Sequence, residues 1–137
     1  MPMQCSLSES GRFIHGIVSG RATGEELAEY EATHVEHARP GDVVLELLEV
    51  SRGALDGLTP DDIAVALESR SKSPDAGVPH RCAIVVDPED AAGQRLAVLY
   101  QQMARRHFPE AVVVFGDVRT ACDWLGVPCP AGRSSAA

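Results

Sequence analysis

The stretch from His80 to Leu125 constrains this chain most. Cys82-Ala83-Ile84-Val85-Val86 is a short apolar run stopped by Asp87-Pro88, and Ala91 to His107 then has helical spacing. Ala111-Val112-Val113-Val114-Phe115 is a second apolar run, stopped by Gly116-Asp117, and Val118 to Leu125 forms a last short helix carrying Trp124. Continuous apolar runs alternating with amphipathic helices require a sheet covered by helices, hence an α/β domain. Neither strand exit carries a glycine-rich phosphate loop, a nucleophile elbow or metal-ligand spacing.

The rest of the chain extends the same alternation. Gln4 to Leu7 and Arg12 to Ser19 read as strands around the turn Ser8-Glu9-Ser10-Gly11. A helix follows from Thr23 to about Ala38, with Leu27, Tyr30, His34 and Ala38 along one face. Val43 to Leu48 is a third strand, and Thr59-Pro60-Asp61-Asp62 opens a helix that runs through about Ser69. Ser71 to Pro79, with Pro74, Gly77 and Pro79, is a surface loop. The reading is one α/β domain over residues 1–126, a five-stranded mixed sheet packed with about four helices, followed by a flexible C-terminal tail over residues 127–137.

The helix starts agree with one another. Thr23, Thr59, Asp87 and Asp117 each place a side-chain oxygen where a first-turn amide lacks a partner. Glu26, Asp62 and Asp90 follow three residues later, as in a capping box, and Pro60 and Pro88 stand at the first helical position. The same residues carry a functional negative. Helix N-termini are where α/β proteins hold phosphate. Here Glu25, Glu26, Asp61, Asp62, Glu89 and Asp90 would repel it, so nucleotide binding in that manner is disfavoured.

Bulk properties narrow the classes further. At 137 residues the chain is long enough for one sizeable core. Its 20 acidic residues against 12 basic ones leave a net charge of −8, which argues against nucleic acid as the main partner. No apolar run approaches the roughly 20 residues that span a bilayer, so no integral membrane association is expected. The first residues show no secretory signal, and the expected location is cytoplasmic. Cys5, Cys82, Cys122 and Cys129 have no Cys-x-x-Cys spacing and read as free thiols.

The order of elements resembles the SpoIIAA-like family, which shares the fold of STAS domains. The resemblance covers residues 4 to 126. It rests on Arg12 to Gly20 followed by Thr23-Gly24-Glu25-Glu26-Leu27, on Arg81 to Asp87 as the central strand, and on Val114 to Gly126 with its Ala121-Cys122-Asp123-Trp124-Leu125 ending. In antagonist STAS proteins a serine lies between an Asp and a Gly at the start of the helix after the third strand. Asp56, Gly57 and Leu58 echo that motif, but no serine separates Asp56 from Gly57, and Ser51 is several residues earlier. The phosphorylation switch therefore does not carry over. The resemblance implies a non-catalytic binding or regulatory module, monomeric or homodimeric, that contacts a protein partner or a small apolar ligand.

His34 and His37 lie at i and i+3 on one helix, yet no third ligand stands at a defined spacing, so no metal site is assigned. Ser19, Ser51 and Cys122 lack the surroundings of a nucleophile, and no catalytic residue or cofactor is assigned. Leu96, Leu99, Tyr100 and Met103 form an apolar stripe that belongs to the core, and Tyr100 and Met103 are candidates for the floor of an apolar pocket. The ligand- or partner-binding residues are therefore expected among Ser51, Asp56, Gly57, Leu58, Asp61, Asp90, Tyr100 and Met103. The first six belong to a rim of loops after the second, third and fourth strands. The competing reading is a small enzyme whose carboxylates and histidines gather from distant loops.

Overall fold

The computed structural model describes residues 3–7, 13–33, 41, 43–73 and 76–129. The chain runs β1 (Met3–Leu7), β2 (Phe13–Val18), α1 (Gly24–Thr33), β3 (Val44–Val50), α2 (Pro60–Ser71), β4 (His80–Val86), α3 (Ala91–His107), β5 (Glu110–Phe115) and α4 (Val118–Leu125). The strands lie side by side in sequence order. Four of them, β2 to β5, are parallel, and β1 joins the edge by pairing antiparallel with β2. The expected mixed sheet is thus corrected in character: its body is parallel, and the antiparallel part is confined to one edge.

Strand order and burial together assign the layers. Leu27 and Tyr30 of α1, Ile63, Ala66 and Leu67 of α2, and Ala97, Tyr100 and Ala104 of α3 share one core with Val18, Val50, Cys82, Ile84 and Val112 of the sheet. Val118, Ala121, Cys122 and Leu125 of α4 share a second core with Leu47, Ala83 and Val85 on the opposite face. Central β4 is buried at almost every position because helices cover both its sides, whereas β2 alternates between buried and half-buried residues. The uneven covering, three helices against one, makes the first face the deep one.

Three helix starts follow the sequence and one departs from it. Thr23 and Glu26 exchange side-chain and backbone hydrogen bonds, and Thr59 and Asp62 do the same at α2. Asp117 accepts from the Thr120 amide. At α3 the cap is Asp90 rather than Asp87, because Asp90 Oδ1 accepts from the Gly93 amide. Asp87 accepts from the Glu89 amide and from Arg52 instead, so Pro88 lies in the loop and not in the first turn. The second half of the expected first helix, with His34 and His37, lies outside the described residues, as do the turn Ser8 to Gly11 and residues 130–137 of the tail.

Two glycines are set by geometry. Gly126 ends α4 at φ 76°, a left-handed conformation that glycine adopts without steric cost. A Cβ at Gly16 would stand 2.8 Å from both the Tyr30 hydroxyl and Leu48 Cδ1. Only a bare backbone on β2 lets the Tyr30 ring lie this close to the sheet.

Candidate functional site

The deep face contains a group of polar side chains that the apolar patterning hides. Glu31, Glu46, Arg70, His80 and Glu110 are all 8% exposed or less. They come from α1, β3, α2, β4 and β5, and Tyr30 and Tyr100 complete the group from α1 and α3. A buried charge is tolerated only when paired and hydrogen-bonded. Arg70 Nη1 donates to both oxygens of Glu110, at 2.8 and 3.0 Å, and lies 3.5 Å from Glu31 Oε1. Its Nη2 is 3.0 Å from His80 Nδ1, and its guanidinium stacks 4.1 Å from the centre of the Phe108 ring. The Tyr100 hydroxyl donates to Glu31 at 2.9 Å, and that of Tyr30 donates to Glu46. His80 Nε2 lies 2.8 Å from Glu46 Oε1, an ion-pair distance without hydrogen-bond alignment.

The protonation states follow from these neighbours. Burial works against the Arg70 guanidinium, but Tyr100, Glu110 and Glu31 outweigh it and raise the pKa, so Arg70 stays charged. Burial, reinforced by Glu46, pushes the Tyr30 phenol well up, and burial with Glu110 does the same to Tyr100. The Cys82 thiol rises for the same reasons, burial first and Glu46 second. Both phenols and this thiol therefore remain neutral donors around the carboxylates. Among the described residues no group of three histidines, cysteines or carboxylates is placed to hold a metal ion.

The expected rim lies at the other end of the sheet. The buried group sits at the amino ends of β4 and β5, whereas the loops after β2, β3 and β4 leave from the carboxyl ends. Those three loops are joined to one another. The Ser51 amide donates to Val18 O at 2.8 Å, the Ala22 amide to Ala54 O at 2.9 Å, and the Gly53 amide to Asp90 at 3.1 Å. Arg52 crosses from the second loop to the third, where it pairs with Asp87 at 2.6 Å and Glu89 at 3.3 Å. Arg21 rests against Gly57, where a Cβ would be 3.1 Å from its Nε.

Within this rim the candidate residues divide. Ser51, Asp56, Gly57 and Asp61 are exposed. Leu58 and Asp90 are each 8% exposed, the first packed into the core and the second occupied as the α3 cap. Arg52 offsets two of the carboxylates, so the rim is less acidic than its composition alone indicates.

Tyr100 and Met103, the two residues expected at a pocket floor, face different surroundings. Tyr100 turns into the buried group. Met103 instead lines a groove of about 380 Å³ between α2 and α3, with Ala64, Leu67, Glu68, Ser71 and His107. Of the cysteines whose side chains are described, Cys82 and Cys122 are buried free thiols and Cys129 is an exposed one. Burial and the neighbouring Cys129 push the Cys122 thiol up to about 12.

Sequence reading passes over Glu31, Glu46, Arg70, His80 and Glu110. The signal is faint but present: Glu46 interrupts the apolar run Val43 to Leu48, and Arg70 continues the stripe Ile63, Ala66, Leu67 at helical spacing. No known protein family, curated protein or solved structure matches this chain. No helix among the described residues is long and apolar enough to cross a membrane.

Proposed function

We propose that this chain is a non-catalytic binding or regulatory module of SpoIIAA-like type. It acts through the rim at the carboxyl ends of its parallel strands, on a protein partner or a small apolar ligand. One observation carries this reading. Glu31, Glu46, Glu110 and His80, which converge from separate elements, are buried and engaged with one another and with Arg70, while the loops after β2, β3 and β4 are tied into one exposed surface. A rigid sheet presenting joined loops at its carboxyl edge is the usual placement of a binding surface in an open α/β fold. The element order, two strands and then alternating helices and strands, supports the SpoIIAA-like reading.

The reading as a small enzyme draws on the convergence of Glu31, Glu46, Glu110 and His80 from separate elements. Their burial weighs against it, since a substrate has to reach the groups that act on it. Native mass spectrometry of the full chain as purified tests the proposal. Retention of a partner or small molecule, lost when Asp56 and Asp61 are replaced by Ser, supports it. Retention undiminished in that double variant overturns the rim assignment.

A further inference from the structure

His80 stands at the centre of the buried group with one ring nitrogen facing two neighbours of opposite chemistry. Nδ1 is 3.0 Å from Arg70 Nη2 and 3.4 Å from Glu110 Oε1. A guanidinium only donates, so the Arg70 contact requires Nδ1 to be an unprotonated acceptor. A carboxylate only accepts, so the Glu110 contact requires Nδ1 to carry a proton. The two contacts call for opposite states of Nδ1, and the Arg70 contact is the shorter of the two.

We infer that His80 is a proton-operated selector: neutral, it holds Arg70 through Nδ1; protonated, it turns Nδ1–H to Glu110 and loosens the last turn of α2 from the sheet. The exchange is forced by charge. An added proton converts an attraction into two cations 3.0 Å apart in a water-poor interior. The new Nδ1–H also competes for Glu110 Oε1, which Arg70 Nη1 already occupies at 2.8 Å. Glu46 of β3, Arg70 of α2 and Glu110 of β5 lie against the His80 ring, and Glu31 of α1 and Tyr100 of α3 join the group through Arg70 and Glu31. Of the groups against the ring, Arg70 is the cation, so Arg70 bears the repulsion. Arg70 lies in the last turn of α2, where the Lys72 and Ser73 amides close the helix on Ser69 O and Arg70 O. That turn is where movement would register.

Long-range proton–nitrogen NMR spectra of the imidazole rings, acquired from about pH 8 to about pH 5 on the full chain, test the inference. The expected result at the upper end is a His80 ring protonated on Nε2 alone. On acidification the ring gains a proton on Nδ1, while amides 70–73 lose about tenfold in exchange protection after correction for intrinsic pH dependence. In H80Q that pH-linked loss should vanish. A His80 ring protonated on Nδ1 at the upper pH, or one still neutral at about pH 5, overturns the inference. So does an equal loss of protection in H80Q. Should H80Q fail to fold, the wild-type ring spectra decide alone.

Discussion

Arg70 and Glu110, forty positions apart, meet in a two-pronged contact at 2.8 and 3.0 Å that is closed to solvent on both sides. The pair fastens α2 to the first residue of β5, and Glu31 and His80 lean on the same guanidinium. Removing one member of such a pair strands the others as uncompensated buried charge. Arg70→Met should therefore lower stability by about 3–5 kcal/mol in chemical denaturation. Adding Glu110→Gln should restore part of that loss, because the carboxylate that most needs Arg70 is then gone. Additive losses from the two substitutions would mean that the contact carries no coupling.

Tyr30 reaches Glu46 only because β2 has no side chain at Gly16. A Gly16→Ala substitution puts a methyl group 2.8 Å from the Tyr30 hydroxyl and from Leu48 Cδ1. Overpacking of this kind costs about 1–3 kcal/mol. Tyr30→Phe removes the hydroxyl half of the clash, so the alanine should cost less in that background. Urea midpoints of the four variants in the cycle measure the difference.

At the start of α3, Asp90 accepts from the Gly93 amide and from the Gly53 amide, joining a helix cap to the loop after β3. Asp90→Ala should cost about 1–2 kcal/mol, at the upper end for a lost cap. Asp87→Ala should cost less, since Asp87 serves an exposed turn and the surface partner Arg52. Thermal melts of the two variants decide the order, and a greater loss in the Asp87 variant would return the cap to that residue.

Much of the fold can be read locally. The elements among the described residues follow from apolar runs, helical spacing and caps that act within four residues, and those signals are complete in any short window. The α3 start is harder, because Asp87-Pro88-Glu89-Asp90 offers two acceptors and a proline in the right place for either. The choice is settled by Arg52 and Gly53, some 35 positions away, drawing Asp87 and Asp90 to different tasks. The buried polar group is less legible still. Tyr100 reads as core from its stripe and is buried, but its hydroxyl bonds Glu31 across 69 positions. Glu46 could be flagged as a carboxylate within an apolar strand, and Arg70 as a cation on the apolar stripe of α2. The partners of Glu46 are visible only when α1, β3 and β4 are superposed in space.

Alkaline pH should weaken the fold through the same group. Tyr30, Tyr100 and Cys82 have folded-state values raised above the ordinary 10.0, 10.0 and 9.0, chiefly by burial. Below about pH 8 folded and unfolded chains both keep these protons, and the stabilisation is fully present. Above that the unfolded chain releases protons first, so stability falls as pH rises toward the folded-state values. The urea midpoint should be level to about pH 8 and decline beyond it, with a shallower decline in Tyr100→Phe. A midpoint that stays level through about pH 11 would contradict the burial of these groups.

The rim prediction turns on two carboxylates that no cap or turn occupies through the side chain. Asp87 and Glu89 face Arg52, Asp62 closes the α2 capping box, and Asp90 is inside. Asp56 and Asp61 remain exposed on the loop after β3 and the first turn of α2. A partner for this surface should present basic or neutral groups, and its association should slow with added salt as the long-range attraction is screened. Because both side chains stand in solvent away from the core, replacing them with Ser should change stability by no more than about 0.5 kcal/mol. The melting temperature of the double variant should then match the parent while its association rate falls and its salt dependence flattens. Surface plasmon resonance at two ionic strengths, with the partner recovered by native mass spectrometry, measures both. An unchanged association rate with unchanged salt dependence would move the binding surface away from this rim, and the groove lined by Leu67, Met103 and His107 would be the next surface to probe.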